Sequence, residues 1–417
     1  MNNRIIVIVD SIDINDSSGS KANVALIDSL VNVGYQVSVY HYTRKEIQLK
    51  GVNCLAIKER KVNLLFLLSR IQRILQRILK INLAKYLEPF FGFSFTFFND
   101  VNSIKTELKK VDVSKFDLVL TLSKAASFRP HYAINDLSKF HIKWMAYIHD
   151  PYPFSCYPIP YDWKEPGYKI KEKFFKELSE NTQYAAFPSL LLKEWMGTHF
   201  RNFNKKGIVI PHQIIEVDLK TQQSPSYFDS NKFNILHAGS LLKQRNPEGL
   251  IKGFQLFLKN NPAANKDAML LLLGNADYHK NIILDYSCKL PQLFVKLSSV
   301  SFKEVFWVQN HVSINVILEA DSEVSPFLPG KFPHCVSANK VILNLGPQKS
   351  ETKRLLGKNY PYFSKINDVQ TISELLAKLY REWKNNDKSL FLNRPDLEYY
   401  LGKSYLKEQL KNVFKND

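Results

Sequence analysis

Short apolar runs alternate along the chain with longer helical patterns. The first run, residues 4–9, is rich in Ile and Val, and a polar loop at 13–20 leads into a helical pattern through Leu30 and a second run at 36–42. A strand, a helix and a second strand in this order predict the start of a doubly wound α/β domain. We predict its further strands at residues 117–122, 143–149, 184–187 and 207–211.

A polar, irregular stretch at residues 213–231 separates this part from a second one and is typical of a linker. Strand patterns then restart at residues 233–238, 268–273, 312–318 and 340–345, with helical patterns between them. The sequence therefore predicts an α/β fold with two doubly wound Rossmann-like domains. Their expected bounds are 1–212 and 232–396, with a C-terminal helix in 397–417 that closes the structure.

Composition narrows the class of protein. The 417 residues, of which 45% are hydrophobic and 23% charged, fit two or three folded domains and exclude wholesale disorder. The four cysteines lie far apart without a Cys-x-x-Cys spacing, which argues against a disulfide scaffold or a structural zinc site. No apolar run is long enough for a signal peptide or a membrane span, so we expect a cytoplasmic protein.

The formal net charge of +18 predicts an anionic partner: nucleic acid, an acidic membrane surface or phosphorylated ligands. Residues 58–85 carry eight basic residues and one acidic residue. At helical spacing Arg70, Arg73, Arg77 and Lys80 form one stripe, opposite a face of Leu and Ile. Such a basic amphipathic helix is typical of an anionic membrane surface, and a core-packed helix with a solvated basic face is the alternative.

Phenylalanines crowd the segment just after Pro89. The alternation of Phe91, Phe93, Phe95 and Phe97 fits a half-buried strand, and interfacial anchoring is the other reading.

A first candidate ligand-binding turn follows the strand at 233–238. Gly239 and Ser240 end the strand, a short basic loop carries Arg245, and Pro247 begins a helix. Glycine allows close backbone approach, a helix start presents free N–H groups, and Arg supplies a fork of donors for phosphate oxygens. The turn suits a nucleotide diphosphate; an ordinary strand-to-helix turn with a solvated Arg is the alternative.

A second such turn lies at residues 319–345. A strand runs into Ser325, a turn containing Leu328, Pro329 and Gly330 follows, and Lys331 precedes a new helix. This loop again offers N–H groups and a cation at the carboxyl end of a parallel strand.

The two motifs together resemble the donor-binding domain of GT-B glycosyltransferases, in particular the retaining, family 4-like group that builds bacterial surface polysaccharides. The matching residues are Gly239, Ser240, Leu241, Arg245, Asn246 and Pro247 in the first motif, and Pro329, Gly330, Lys331, Ala338, Lys340, Ile342 and Leu343 in the second. The resemblance implies two domains facing each other across a cleft.

The resemblance also implies roles for residues. Arg245 and Lys331 would hold the diphosphate of a nucleotide sugar, with Ser325 and the 328–330 turn near the donor phosphates or sugar. His334 stands where the family usually has a Glu that hydrogen-bonds the donor ribose, and Pro326 stands at its earlier acidic position. A histidine can still reach a hydroxyl, so the preferred nucleotide is left open.

The first domain supplies the catalytic candidates. Residues 144–153 resemble a segment of the same enzymes, with His149 facing the cleft and Asp150 beside it. His149 would donate to the donor sugar or the leaving group, and Asp150 would orient it or accept from the acceptor hydroxyl. Asp150 as a cap of the loop before Pro151 is the alternative. Gly19 and Ser20 correspond to the first loop of these enzymes, which contacts acceptor and phosphate.

The implied function is transfer of a sugar from a nucleotide-sugar donor to a glycan or lipid-linked glycan in cell-surface polysaccharide synthesis. We expect retention of configuration, no resident cofactor or metal, since no Asp-x-Asp motif is present, and a place on the inner face of the cell membrane. A nucleotide-sugar 2-epimerase of the same fold is an alternative. A nucleic-acid-binding protein is less favoured, because no helix-turn-helix, zinc-finger or RNA-binding signature occurs, and nucleic acid is not an expected partner.

Overall fold

The structure, a computed structural model, describes residues 3–161, 163–215, 217, 219 and 222–415. These residues divide into two compact units. The first comprises the described residues up to Tyr157, Tyr161–Gln213 and those from Tyr400 onward, and the second comprises Pro158–Pro160 and those from Ile214 to Tyr399.

The first unit is built on a parallel sheet with the strand order β3-β2-β1-β4-β5-β6-β7. Its strands are β1 (Arg4–Val9), β2 (Gln36–His41), β3 (Asn53–Ala56), β4 (Leu118–Leu122), β5 (Trp144–Tyr147), β6 (Tyr184–Phe187) and β7 (Gly207–Val209). Its helices up to β7 are α1 (Ser18–Asn32), α2 (Leu64–Leu79), α3 (Ala84–Phe91), α4 (Phe95–Leu108), α5 (Arg129–Asn135), α6 (Tyr168–Asn181), α7 (Leu190–His199) and α8 (Asn202–Lys206). Every residue of β1 after Arg4 is buried, as expected for a parallel strand covered by helices on both faces.

The second unit has a parallel sheet with the strand order β10-β9-β8-β11-β13-β15 and a separate ladder of β12 and β14. The strands are β8 (Phe233–Ala238), β9 (Ala268–Leu273), β10 (Leu293–Lys296), β11 (Ile314–Leu318), β12 (Val324–Ser325), β13 (Val341–Leu345), β14 (Lys349–Ser350) and β15 (Phe363–Ser364). The remaining helices of the chain are α9 (Glu248–Asn260), α10 (Ala264–Asp267), α11 (Lys280–Lys289), α12 (Phe302–His311), α13 (Phe332–Ser337), α14 (Glu351–Leu356), α15 (Val369–Asn385), α16 (Pro395–Tyr400) and α17 (Lys403–Lys415).

All the strands expected from the sequence are confirmed, some with trimmed ends. The pattern missed β3 and β10, because each is only four residues long and half exposed at an edge of its sheet. A two-residue β15 carries no periodicity at all.

The C-terminal tail crosses back to the first unit. Leu406, Leu410 and Val413 of α17 join the core that contains Leu26 and Leu30 of α1. The helical spacing of the tail predicts a helix. It does not predict which unit this helix packs on, because that depends on where the rest of the fold leaves an apolar surface uncovered.

The strand reading of the phenylalanine segment is wrong. The Ser94 side chain accepts from the Phe97 N–H and caps α4, so Phe97 and Val101 of this helix follow helical spacing into the core, where Phe93 also lies. The core-packed alternative for the basic helix is also wrong. Its apolar face is exposed, with Leu64 at 69%, Ile74 at 51% and Ile78 at 68%.

Each sheet has one point where the chain reverses its direction of growth. In the first sheet this topological switch lies between β1 and β4, and in the second it lies between β8 and β11. Loops at the carboxyl ends of such strand pairs diverge to opposite faces of the sheet and leave a crevice for ligands. Candidate residues that lie in the loops at these two switch points are therefore the ones best placed to contact a ligand.

Candidate functional site

The loop after β8 is fixed by backbone hydrogen bonds at the switch point of the second sheet. The Gly239 N–H donates to the Leu273 carbonyl at 2.8 Å, and the Leu241 N–H donates to the Asn275 carbonyl at 2.8 Å. The Asn246 side chain accepts from the Glu248 N–H at 3.0 Å at the start of α9. The predicted turn is thus a rigid segment that leads from the strand into a helix N-terminus.

Close packing holds α9 in place against α15 and the residues just before it. A Cβ at Gly249 would stand 2.1 Å from the Ile366 carbonyl oxygen, and one at Gly253 would stand 2.5 Å from the Ile372 side chain. Both glycines let the two elements approach, which sets the position of the helix that follows the Arg245 loop.

Lys331 of the second motif reaches the glycine of the first. Gly239 has a φ of +137°, and a Cβ there would lie 3.1 Å from the Lys331 Nζ. The same Nζ lies 3.4 Å from each ring nitrogen of His237, the next-to-last residue of β8. The two motifs, far apart in sequence, therefore meet in space.

Positive charge is concentrated where the motifs meet. Burial lowers the pKa of Lys331 to about 7, and the charge of Arg245 acts in the same direction. Burial lowers the pKa of His237 well below its usual range, and Lys331 and Arg245 lower it further. The Arg245 Nε is buried and, among the described residues, has no hydrogen-bond partner. A buried lysine whose charged form is disfavoured by a neighbouring cation, beside an unused donor, has the chemistry that favours an anion.

Glu319 is a residue of this site that sequence reasoning missed. It directly follows β11 and is 3% exposed. Burial raises its pKa to about 7, against the effects of the hydroxyls of Ser325 and Ser350 and of the Arg245 charge. Neither carboxyl oxygen has a hydrogen bond of standard geometry within the described part of the chain. The sequence shows only that it is the first polar residue after the β11 run; the strand order places that position at the switch point.

The other residues predicted to bind the sugar donor differ in how accessible they are to a ligand. Ser240 and Gly330 are exposed, and Pro329 is partly buried. Ser325 is 5% exposed beside Glu319, and the Leu328 side chain is 4% exposed, so Leu328 can offer a ligand only its backbone.

His334 lies on α13, where its ring packs 5.2 Å from the Phe302 ring and 5.7 Å from the Phe306 ring. The predicted contact of His334 with a ribose stays a prediction.

In the first unit, His149 lies two residues past the end of β5 and is 7% exposed. Its Nε2 is 2.7 Å from the Asn23 Oδ1, and the Asn23 amide donates to the Ser123 carbonyl at 3.0 Å. Because the amide nitrogen is used there, the Asn23 oxygen faces the histidine, and His149 Nε2 carries the proton. Burial and the neighbouring His212, stacked at 5.2 Å, hold the pKa of His149 well below its usual range.

Gly19 and Ser20 lie in the first turn of α1 and not in the loop before it. Ser17 is the N-cap and accepts from the Ser20 N–H at 3.1 Å. The buried Ser20 hydroxyl lies 3.1 Å from the Ser17 hydroxyl and donates to Asp16 at 3.4 Å. The capping preference of Ser17 extends the helix toward the loop, and the Ser20 side chain serves this cap.

Asp10, at the carboxyl end of β1, is a second residue that sequence reasoning missed. It is 6% exposed, accepts from the Ser127 hydroxyl and lies 3.8 Å from the Arg129 guanidinium. Burial raises its pKa, and its Oδ1 has no partner among the described residues. Asp150 is partly buried, and its charge contributes to the raised pKa of Tyr157.

No group of three or more His, Cys, Asp or Glu side chains in the described ranges could hold a metal ion. None of the described helices is long and apolar enough to cross a membrane.

No protein-family model and no curated protein matches the chain. Solved structures do. The Anabaena protein HepE in complex with UDP and glucose is similar with a TM-score of 0.60 and 9% identity, covering 100% of both chains. The UDP-forming α,α-trehalose-phosphate synthase from Burkholderia xenovorans with glucose-6-phosphate has a TM-score of 0.65 and 9% identity, covering 99% of this chain and 100% of that one. A glycosyltransferase from Rickettsia africae has a TM-score of 0.55 and 14% identity over 99% of each chain. The chain has the GT-B fold of these glycosyltransferases, two parallel-sheet Rossmann-like domains.

Proposed function

We propose that the protein is a glycosyltransferase that takes a sugar from a nucleotide-sugar donor held in the second unit. One observation carries this proposal: Lys331 lies beside the Gly239 backbone, close enough to Arg245 for that charge to lower its pKa, at the switch point of a Rossmann-like sheet. That arrangement supplies fixed positive charge and a close backbone approach, as a diphosphate requires.

The chemistry follows from this charge. In the transfer, the bond between the anomeric carbon and the diphosphate oxygen breaks, an acceptor oxygen takes its place, and the acceptor hydroxyl passes its proton to the departing diphosphate. Negative charge grows on the departing diphosphate, so preorganised cations stabilise the transition state more than the bound donor. Arg245 and Lys331 supply this charge from the protein, and we propose that no resident cofactor takes part.

Glu319 is suited to bind the donor sugar. It is buried beside Arg245, and its oxygens are not used by standard hydrogen bonds within the described residues. A carboxyl group with a pKa near 7 can both accept from and donate to sugar hydroxyls. We propose that Glu319 performs this role in the place of the acidic residues that the second motif lacks.

His149 is proposed to contact a substrate hydroxyl. Since its Nε2–H is directed to Asn23, its Nδ1 is the available acceptor. A neutral histidine held in one tautomer can accept a hydrogen bond from a substrate hydroxyl and orient it. This replaces the donor role expected from the sequence, because the N–H of the neutral ring is already directed to Asn23. Asp150 is proposed to assist His149.

The finer assignment concerns the substrates. HepE was solved with UDP and glucose, and the trehalose-phosphate synthases are UDP-forming, so UDP-hexoses are the first donors to test. We propose a retaining reaction on a glycan or lipid-linked glycan of a cell-surface polysaccharide, at the inner face of the membrane. The net charge of +18 and the basic segment at 58–85 support this location.

The test is release of nucleoside diphosphate from a panel of UDP-, GDP- and dTDP-hexoses, with and without a lipid extract as acceptor source. We expect release that the extract stimulates and that Arg245→Ala abolishes. Lys243→Ala, an exposed lysine in the same loop, is the matched control and keeps wild-type release. Conversion of the sugar to its 2-epimer without an acceptor would favour the epimerase instead, and absence of nucleotide binding would refute both.

A further inference from the structure

The helix α2 packs on the protein through its polar residues. Ser69 is fully buried and Gln72 is 6% exposed. The Ser69 hydroxyl lies 3.1 Å from the Thr96 hydroxyl, and the Gln72 Oε1 accepts from the Phe95 N–H at 3.1 Å at the start of α4. This is the reverse of a surface helix in a water-soluble domain, which buries its apolar face.

The apolar face of α2 is correspondingly exposed. We define the apolar band as the exposed large residues of this helix: Leu64, Leu67, Ile71, Ile74, Leu75, Ile78 and Leu79. The exposed fractions run from 39% to 69%. Exposed apolar residues continue into the next segment with Ile81, Tyr86 and Phe90 at 43%, 63% and 79%. A contiguous apolar surface of this kind marks a site of interaction, because its hydration is unfavourable.

Cations border the band. At 100° per residue, Arg70 and Arg77 lie between the apolar band and the buried face of the helix. Arg73 is turned inward, 3.7 Å from Glu59, the one acidic residue of the 58–85 segment. Glu59 also faces Arg44 at 3.7 Å. The negative charge of Glu59 is therefore paired with arginines of the protein. The outer surface of the 58–85 segment is apolar and positively charged.

We propose that α2 lies in the plane of an anionic lipid bilayer, with the apolar band inserted at the boundary of headgroups and acyl chains. Arg70, Arg77 and Lys80 then meet the lipid phosphates. A second copy of this chain does not fit the surface, because it would bring two sets of eight basic residues together. The proposal rests on the proposed membrane location and not on sugar transfer. It assigns the anchoring to the apolar band, with the basic stripe at its edge.

The experiment is flotation of the full chain with vesicles of phosphatidylcholine alone and with added phosphatidylglycerol. We expect binding to the anionic vesicles. Replacing Leu67, Ile71, Ile74 and Ile78 by Ser should lower it by about tenfold or more, since the inserted area is lost. Tyr278→Ser with Leu284→Ser, two exposed apolar residues of the second unit, is the matched control and leaves binding unchanged.

The cations are tested separately. Arg70→Gln, Arg77→Gln and Lys80→Gln together should weaken binding to anionic vesicles by roughly fivefold per charge, and less so in high salt. Arg73 stays in place because it pairs with Glu59.

A fluorescent label and the flotation of the four-Ser variant test insertion of the apolar band directly. A fluorophore on Ile74→Cys, in a Cys288→Ser background, should shift to the blue with anionic vesicles, and the same label on Leu284→Cys should not. Wild-type flotation by the four-Ser variant, or a wild-type dimer that this variant dissociates without any vesicle binding, would overturn the proposal. Nucleoside diphosphate binding, measured in the same preparations without lipid, reports on the proposed function independently.

Discussion

The Lys331 ammonium nitrogen lies 3.4 Å from each ring nitrogen of His237, with the Gly239 backbone close beside it. A protonated imidazole cannot share this space with an ammonium, so His237 stays neutral and can accept from the lysine. The arrangement holds the Lys331 ammonium in place while leaving it without an ion-pair partner among the described residues. The proposed diphosphate would supply that partner.

Arg245→Ala or Lys331→Ala should weaken nucleoside diphosphate binding about tenfold or more, because a hydrogen bond to a charged group contributes roughly 1.5–3 kcal/mol. Arg245→Lys should restore only part of the loss, since an ammonium lacks the planar fork. Titration calorimetry measures both, with Lys243→Ala as the control. Wild-type affinity in both Ala variants would place the donor site elsewhere.

Diphosphate affinity should fall as pH rises from 7 to 9. The pKa of Lys331 is lowered to about 7, so above that pH the unliganded protein must take up a proton to present the cation. Calorimetry at pH 8 in buffers of different ionisation enthalpy should reveal this uptake, and Lys331→Met should abolish it. The unliganded protein should become more stable over the same pH range, because the unfolded chain holds the lysine proton more tightly. A flat affinity profile would show that Lys331 stays charged.

Gly239→Ala should reduce diphosphate affinity in addition to costing stability. The residue has a φ of +137°, and the new Cβ would lie 3.1 Å from the Lys331 Nζ. Gly34→Ala is the matched control, since Gly34 has a φ of +99° and no described atom within 4 Å of the added Cβ. Both variants should lower the melting temperature through backbone strain, and only Gly239→Ala should bind diphosphate more weakly. Equal affinities would separate Gly239 from the site.

His149→Ala should lower kcat by roughly a hundredfold while diphosphate affinity stays near wild type. Asn23→Ala should lower kcat less, because it leaves the ring in place and removes the hydrogen bond that orients it, together with the bond from Asn23 to the Ser123 carbonyl. Steady-state kinetics with the best donor provide the measurement, and His311→Ala, an exposed histidine of the second unit, is the control. Near-normal turnover by His149→Ala would return this residue to a structural role.

The sequence anticipated the elements that read as continuous buried runs. Residues 5–9 of β1 are apolar throughout, and residues 314–318 of β11 are apolar except for Asn315, since a parallel strand is covered on both faces; such runs are visible without any knowledge of partners. Edge strands such as β3 and β10 escaped notice because a half-exposed strand of four residues has too little pattern. The cap at Ser94 turned the phenylalanine alternation into a helix, since one side-chain hydrogen bond set the start of α4.

The part of the candidate site that lies in local strand-to-helix turns was predictable, because the residue types of such a turn can be recognised in the sequence. Gly239, Arg245 and Lys331 stand at strand-to-helix turns that sequence alone can identify. Glu319 and Asp10 gain their significance only from the strand order, which places the ends of β11 and β1 at the two switch points. Burial then perturbs their carboxyl groups, and burial is a property of the packed fold.

The helix α2 shows most directly where prediction from the sequence ends. Its spacing of apolar and basic residues was determined by the sequence, and with it the existence of an amphipathic helix. Which face meets the protein was decided by tertiary structure: Ser69 and Gln72 find partners on α4, and the apolar band stays 39–69% exposed. Periodicity sets the conformation of a segment because backbone geometry is local. Which face of a helix is buried depends on the surfaces that the rest of the chain packs against it, and these surfaces form only when the chain folds.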